Sequence, residues 1–112
     1  MDRSVKIPMT TQTQFDDYVI VETIGIVRGN TIRARHIGND ILAGLKSIIG
    51  GEIGEYTKMM AEAREQAIDR MIADAVMQGA TGIVAVRFTT STILQGAAEL
   101  LAYGTAVKIK PK

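Results

Sequence analysis

Residues able to do chemistry gather in three places along the chain. Arg28, Arg33, Arg35 and His36 form a basic run with no acid between Glu22 and Asp40. Guanidinium groups beside the free amides of a helix start favour a phosphate or carboxylate, so these four are candidate anion- or ligand-binding residues. The plainer alternative is a solvated basic surface, or arginines paired with acids of a neighbouring subunit. His36 is the only histidine. One imidazole can ligate a metal, and a symmetric ring would multiply it into a cluster, although Arg33 and Arg35 would repel a cation.

The second place is the row Glu62, Glu65 and Asp69, spaced i, i+3, i+7 along one side of a helix. If symmetry brought copies together, such a row could hold a hard cation such as Mg²⁺ or Ca²⁺. The competing reading is a solvated face tempered by Lys58–Glu62 and Arg70–Asp74 pairs at i, i+4. The third is a methionine set, Met59, Met60 and Met71, whose thioethers suit Cu(I). Their helical spacing equally suits filling gaps in a core or interface.

Catalysis finds thinner support. A nucleophile beside a base would have one histidine and no cysteine to draw on. Glu22 lies within an apolar strand, so burial would raise its pKa and make it a general base; a salt bridge to an arginine of another subunit fits as well. The glycine-rich Gly50-Gly51-Glu52-Ile53-Gly54 is no phosphate cradle. It lacks a Gly-Lys-Ser/Thr ending and does not follow a strand, and Glu52 and Glu55 would repel phosphate. Its glycines serve a tight reversal between two helices. Lys108, Lys110 and Lys112 alternate at the C-terminal end, which discourages edge pairing.

The elements that must position these residues follow from composition and pattern. With 112 residues the chain holds one domain, 9–112, after a loose lead-in over 1–8. Hydrophobic residues make up 46% and aromatics 4%, so Ile, Val, Leu, Ala and Met must build the core. Thirteen basic residues against twelve acidic ones argue against a nucleic-acid partner. The absence of cysteine excludes disulfides, thiolate nucleophiles and Cys-based metal sites. No signal-peptide pattern and no apolar run of ~20 residues is present, so a cytoplasmic protein without a membrane partner is expected.

Tyr18–Val27 reads as a strand with two largely apolar faces, after a short edge strand near Ile7–Thr11. Arg28-Gly29-Asn30 reads as a turn. A short apolar helix over Ile41–Ile49 is capped by Asn39 or Asp40 and ended by Gly50. A second helix runs from Glu55 to Gln78 and stops at Gly79, with Tyr56, Met60, Ala63, Ala67, Met71 and Ala75 on its apolar stripe. At 1.5 Å per residue it is roughly 36 Å long, more than one small domain needs. Strands Ile83–Thr90 and Glu99–Lys110 follow, joined by a hairpin at Ser91–Gly96. The order β-α-α-β-β is an α+β fold of two layers, a long amphipathic helix on an antiparallel sheet. Two strands with two apolar faces leave more surface than one subunit can hide, which implies a homo-oligomer.

In order and spacing, Ile41-Leu42-Ala43-Gly44-Leu45, Gly50-Gly51-Glu52 with Tyr56, Ala63-Arg64-Glu65 with Ala67, Gly79-Ala80 and Gly104-Thr105-Ala106-Val107 resemble the YbjQ-like family. These are small bacterial and archaeal proteins labelled "putative heavy-metal-binding", and the likeness spans Thr10 to Ile109. It implies a dodecin-like subunit assembled into a ring, most often a pentamer; the cofactor is left unknown, a divalent or soft metal ion being the one the label suggests. On this likeness Gly50, Gly51, Gly54, Tyr56, Arg64 and Gly79 are signature residues of structural use. A cysteine found in some relatives has no counterpart here, and Thr89-Thr90-Ser91-Thr92 stands where others carry acids.

Two functions from different classes remain. The leading one is a non-catalytic ring that binds a metal or small anionic ligand where subunits meet. The other is a scaffold whose ring presents surfaces to a protein partner and has no ligand of its own.

Overall fold

The computed structural model describes residues 7–34, 53–94 and 97–112. Their order is β1 (Tyr18–Ala34), α1 (Ile53–Met77), β2 (Gly82–Leu94) and β3 (Ala97–Pro111). The strands form one antiparallel sheet in the order β1-β3-β2. This is the expected α+β arrangement of a helix on an antiparallel sheet. The expected short helix over Ile41–Ile49 lies outside the described residues, as do Gly50 and Gly51.

The apolar stripe of α1 is as the spacing predicts, with Ala63, Ala67, Met71 and Ala75 at zero exposure. Three of the four are alanine, so the helix backbone can settle close to the sheet. Ala67, Met71 and Ala75 meet Val27 of β1, Ile83 and Val86 of β2, and Leu100, Ala102 and Ala106 of β3 in one cluster. Met60, Ile68 and Met9 pack against its rim. Burying each larger side chain contributes about 1.5–3 kcal/mol. The helix ends as Gly79 requires: Ala80 N–H donates to Ala75 O at 3.0 Å, Gly79 N–H to Val76 O at 3.0 Å, and Gly79 takes φ +86°. These two bonds and the left-handed glycine constitute a Schellman cap.

Two expected turns are strand instead. Arg28-Gly29-Asn30 does not turn; β1 runs through it, pairing Arg28 with Tyr103, Gly29 with Ala102 and Asn30 with Leu101. The glycine there serves proximity. A Cβ on Gly29 would run into Ala67 O and Met71 N of α1, and would sit 2.7 Å from Arg70 Cβ. Of the expected hairpin Ser91–Gly96, the part Ser91–Leu94 is strand, since Ser91 pairs with Glu99, Thr92 with Ala98 and Leu94 with Ala97, while Gln95 and Gly96 lie outside the described residues. The threonine-rich run Thr89-Thr90-Ser91-Thr92 extends readily, which explains the longer pairing.

The strict alternation expected over Tyr18–Val27 is interrupted. Register shifts fall between Ile20 and Glu22 and between Thr23 and Gly25, each leaving an extra residue on β1. Gly25 takes φ +150° at the second of these bulges. The N-terminal segment adds to the other edge of the sheet. Pro8 O accepts from Ile83 N, Ile83 O from Thr10 N, Thr10 O from Val86 N, and Gln12 O from Ala85 N. The short edge strand expected near Ile7–Thr11 is reduced to a single parallel bridge, Met9 to Ile83, with further backbone bonds beyond it. The molecule measures 54 × 24 × 21 Å, and the 17-residue β1 spans that long dimension by itself, at about 3.3 Å per residue.

Candidate functional site

The basic run does not converge where the structure describes it. Because β1 is continuous from Gly25 to Ala34, residues five apart fall on opposite faces of the sheet. Arg33 lies on the helix side, where its Nη2 donates to Gln66 Oε1 at 3.0 Å. Its Nε is buried with no hydrogen-bond partner, and so is Oγ1 of Thr31, two residues earlier on the same face. Arg28 lies on the face away from the helix, opposite Tyr103, which is itself paired with Arg87 of β2. Arg35 and His36 lie outside the described residues. The anion-site residues are thus split between two environments, one under the helix and one open.

The helix uses its charged side to close the edge of β1. Asp74 Oδ2 accepts from Arg28 N–H at 3.3 Å, and Arg70 Nη1 donates to Asn30 O at 2.6 Å. Asp74 Oδ1 also accepts from Gln78 Nε2 at 3.0 Å. Arg70 and Asp74, expected to pair with each other along the helix, therefore hold the backbone of an edge strand. An edge main chain left bare invites foreign pairing, and these two side chains occupy it.

The carboxylate row is not a uniform face. Glu62 and Glu65 are exposed whereas Asp69 is buried at 8% exposure, and both Glu65 and Asp69 are engaged in interactions of their own. Among the described residues no three of His, Cys, Asp and Glu come together. Arg64 is exposed. Met71 is wholly buried and Met60 packs on the core, so these two serve the packing use of methionine.

Glu22 is not buried within the subunit. It faces Lys108 across the β1–β3 pair with Lys108 Nζ 3.9 Å from its Oε1, and the two side chains are 58% and 46% exposed. An exposed pair of this kind contributes about 0.2–1 kcal/mol. A carboxylate so hydrated keeps no reason to act as a buried base.

The sequence left unnoticed what lies on the helix-free face. Ile26 (77% exposed), Ile32 (59%) and Tyr103 (38%) stand there with Arg28, and Asn30 Nδ2 donates to Glu99 Oε2 at 3.2 Å. The signal was present as period-two spacing through Ile26, Arg28, Asn30 and Ile32, but the assumed turn at Gly29 broke it. At the β2 margin, Arg87 Nη1 donates to Thr11 O at 2.6 Å and to Val86 O at 2.9 Å, strapping the N-terminal segment to the sheet. Chemically this face offers donors, an aromatic ring and apolar side chains on a rigid sheet: the means of recognition.

Comparison with known proteins places these features in a family. A family model described as "Putative heavy-metal-binding" matches residues 7–110. A UPF0145 protein of Methanococcus vannielii is 58% identical over 101 residues, covering 90% of this chain and 96% of the relative. Another from Photobacterium profundum is 61% identical over 90 residues, covering 80% and 87%. Among solved structures, a protein of unknown function from the DUF74 family of Pediococcus pentosaceus superposes with a TM-score of 0.64 at 17% identity, covering 93% of this chain and 98% of that one. That likeness concerns the fold. With almost the whole length matched by the family model and by relatives of this identity, the chain belongs to the YbjQ family of UPF0145 proteins.

Proposed function

We propose that this protein is a non-catalytic subunit of a dodecin-like homo-oligomeric ring, a pentamer on the family likeness, that holds a heavy metal or a small anionic ligand where subunits meet. The observation that carries the reading is the apolar surface left open on a rigid sheet. Ile26, Ile32, Val21 and Tyr103 stand exposed on strands whose other face is packed by α1. Such surface is ordinarily covered by a partner, and a second copy is always at hand. The family description supplies the metal, and the arginines supply the anion. Arg28 supports the anionic option, because it stands on the open face opposite Tyr103. Joining of subunits would bring Arg28 on the open face against its neighbour.

Native mass spectrometry of the tag-free protein, before and after exposure to a metal panel and to inorganic phosphate, tests the reading. A pentamer retaining adducts in fixed ratio to subunits through buffer exchange is the expected result. A ring without adduct moves the weight to the scaffold, and a monomer ends the assembly reading. If phosphate is the adduct, Arg28→Ala should lose it while keeping the ring.

A further inference from the structure

Three strands contribute one residue each to a row on the helix-free face. Tyr103 of β3 lies opposite Arg28 of β1 on one side and Arg87 of β2 on the other. All three residues are exposed. Neighbouring strands run about 4.8 Å apart, so the two arginines arise roughly 10 Å from one another with the ring between them.

Both arginines reach that row through a shift of register. On β1 the shift between Thr23 and Gly25 sets Arg28 opposite Tyr103. In the earlier register Val27 would stand there and Arg28 would turn under the helix. On β2 the shift between Val84 and Arg87 brings Arg87 to a place that Val86 would otherwise hold. Ala85 at that second shift takes φ +55°, a backbone conformation that is costly for a residue bearing a Cβ. The two shifts also seat Val27 and Val86 in the core, so one device sets both the packing and the row.

Among the described residues the ladder sets no acid beside this charge. The rows on either side are Ile26–Thr105–Val84 and Asn30–Leu101–Thr89. Glu99 lies one row further on, where its Oε2 accepts from Asn30 Nδ2 at 3.2 Å. Arg87 is held in place, since its Nη1 donates to Thr11 O at 2.6 Å and to Val86 O at 2.9 Å. Those bonds occupy one nitrogen of a group that has five N–H donors in all. Tyr103, 38% exposed, offers a ring and a hydroxyl between the two cations.

We propose that this row binds a small anion carrying a planar ring, of the nucleoside monophosphate class. The ring stacks on Tyr103, the phosphate meets the fork of Arg28, and Arg87 adds positive charge from the other side. A bare anion would leave the aromatic platform unused, and a neutral ring would leave both charges unanswered. The proposal rests on the reading of an anionic ligand where subunits meet; it names that ligand's class and adds Tyr103 and Arg87 to its contacts.

Calorimetric titration of the wild-type protein with adenosine monophosphate, inorganic phosphate and adenosine tests it. The monophosphate should bind at least about fivefold more tightly than either of its parts, the increment of one stacked ring. Arg28→Gln should weaken the monophosphate at least about tenfold and leave adenosine unchanged. Tyr103→Leu should bring the monophosphate down to the level of phosphate, whereas Tyr103→Phe, which keeps the ring, should not. Where a variant fails to fold, amide shifts of the wild type serve instead. The monophosphate should move Arg28, Tyr103 and Arg87 and leave Ala67 and Met71 of α1 in place. Equal binding of phosphate and monophosphate, both lost in Arg28→Gln, would overturn the ring-bearing ligand while leaving the anion reading standing. Monophosphate binding indifferent to Arg28→Gln and Tyr103→Leu, or shifts confined to other residues, would overturn the row. Binding of none of the three compounds would overturn both the row and the anion reading.

Discussion

Gly29 marks a close approach of helix and sheet, where the space of one methyl group is already taken by the backbone of α1. Gly29→Ala should cost about 1–3 kcal/mol or more, because neither Ala67 O nor Met71 N can move without shifting the helix. Urea unfolding followed by circular dichroism would reveal it, and an unchanged midpoint would contradict the packing. Gly79 has a different need. Its φ of +86° is open to glycine and strained for other residues, so Gly79→Ala should cost about 1–2 kcal/mol despite ample space around its Cα. Glu22 marks the opposite extreme. Glu22→Gln should change stability by less than about 1 kcal/mol, since its partner Lys108 is solvated too.

At the scale of elements, two contacts join segments far apart in the chain. The N-terminal strand depends on four backbone bonds to β2 and on the Arg87 guanidinium, which reaches Thr11 O. Arg87→Ala should loosen that strand without unfolding the domain, since the core cluster lies on the other face of the sheet. Amide exchange should quicken at Thr10, Ala85 and Val86 while Ala102 and Ala106 stay protected. Uniform protection in the variant would show that the backbone bonds suffice. The helix was legible in the sequence almost to the residue, since its stripe of Ala63, Ala67, Met71 and Ala75 and its glycine stop are local signals. Strand ends were less legible. Arg28-Gly29-Asn30 and Ser91–Gly96 have turn composition, yet long-range pairing with β3 supplies hydrogen bonds that outweigh local preference.

For the whole molecule, the geometry is that of a long blade with one face packed and the other open. The candidate site was legible only as a list of residue types. Arg28 and Arg33 read as one basic cluster in sequence, and a continuous strand sends them to opposite faces. Replacing Ile26 and Ile32 together by Lys tests the open face. Both side chains are exposed, so subunit stability should move by no more than about 0.5 kcal/mol for each, while oligomer mass should fall. Light scattering would measure the mass. An assembly indifferent to two new charges per subunit would place that face outside the contact.

By itself the sequence determined the class of fold, the family, the long helix with its stop and the excess of apolar surface. Those properties are written in composition, in the helical spacing of small residues and in glycines with local duties. Only the tertiary structure decided that Gly29 is a contact point, that Glu22 is hydrated, that Arg70 and Asp74 guard an edge and that, among the described residues, nothing pairs with the outer side of β2 past Val86. The physical reason is common to all four. Each depends on which strand lies beside which, and in what register, and pairing between residues some 70 positions apart leaves no mark in the residues nearby.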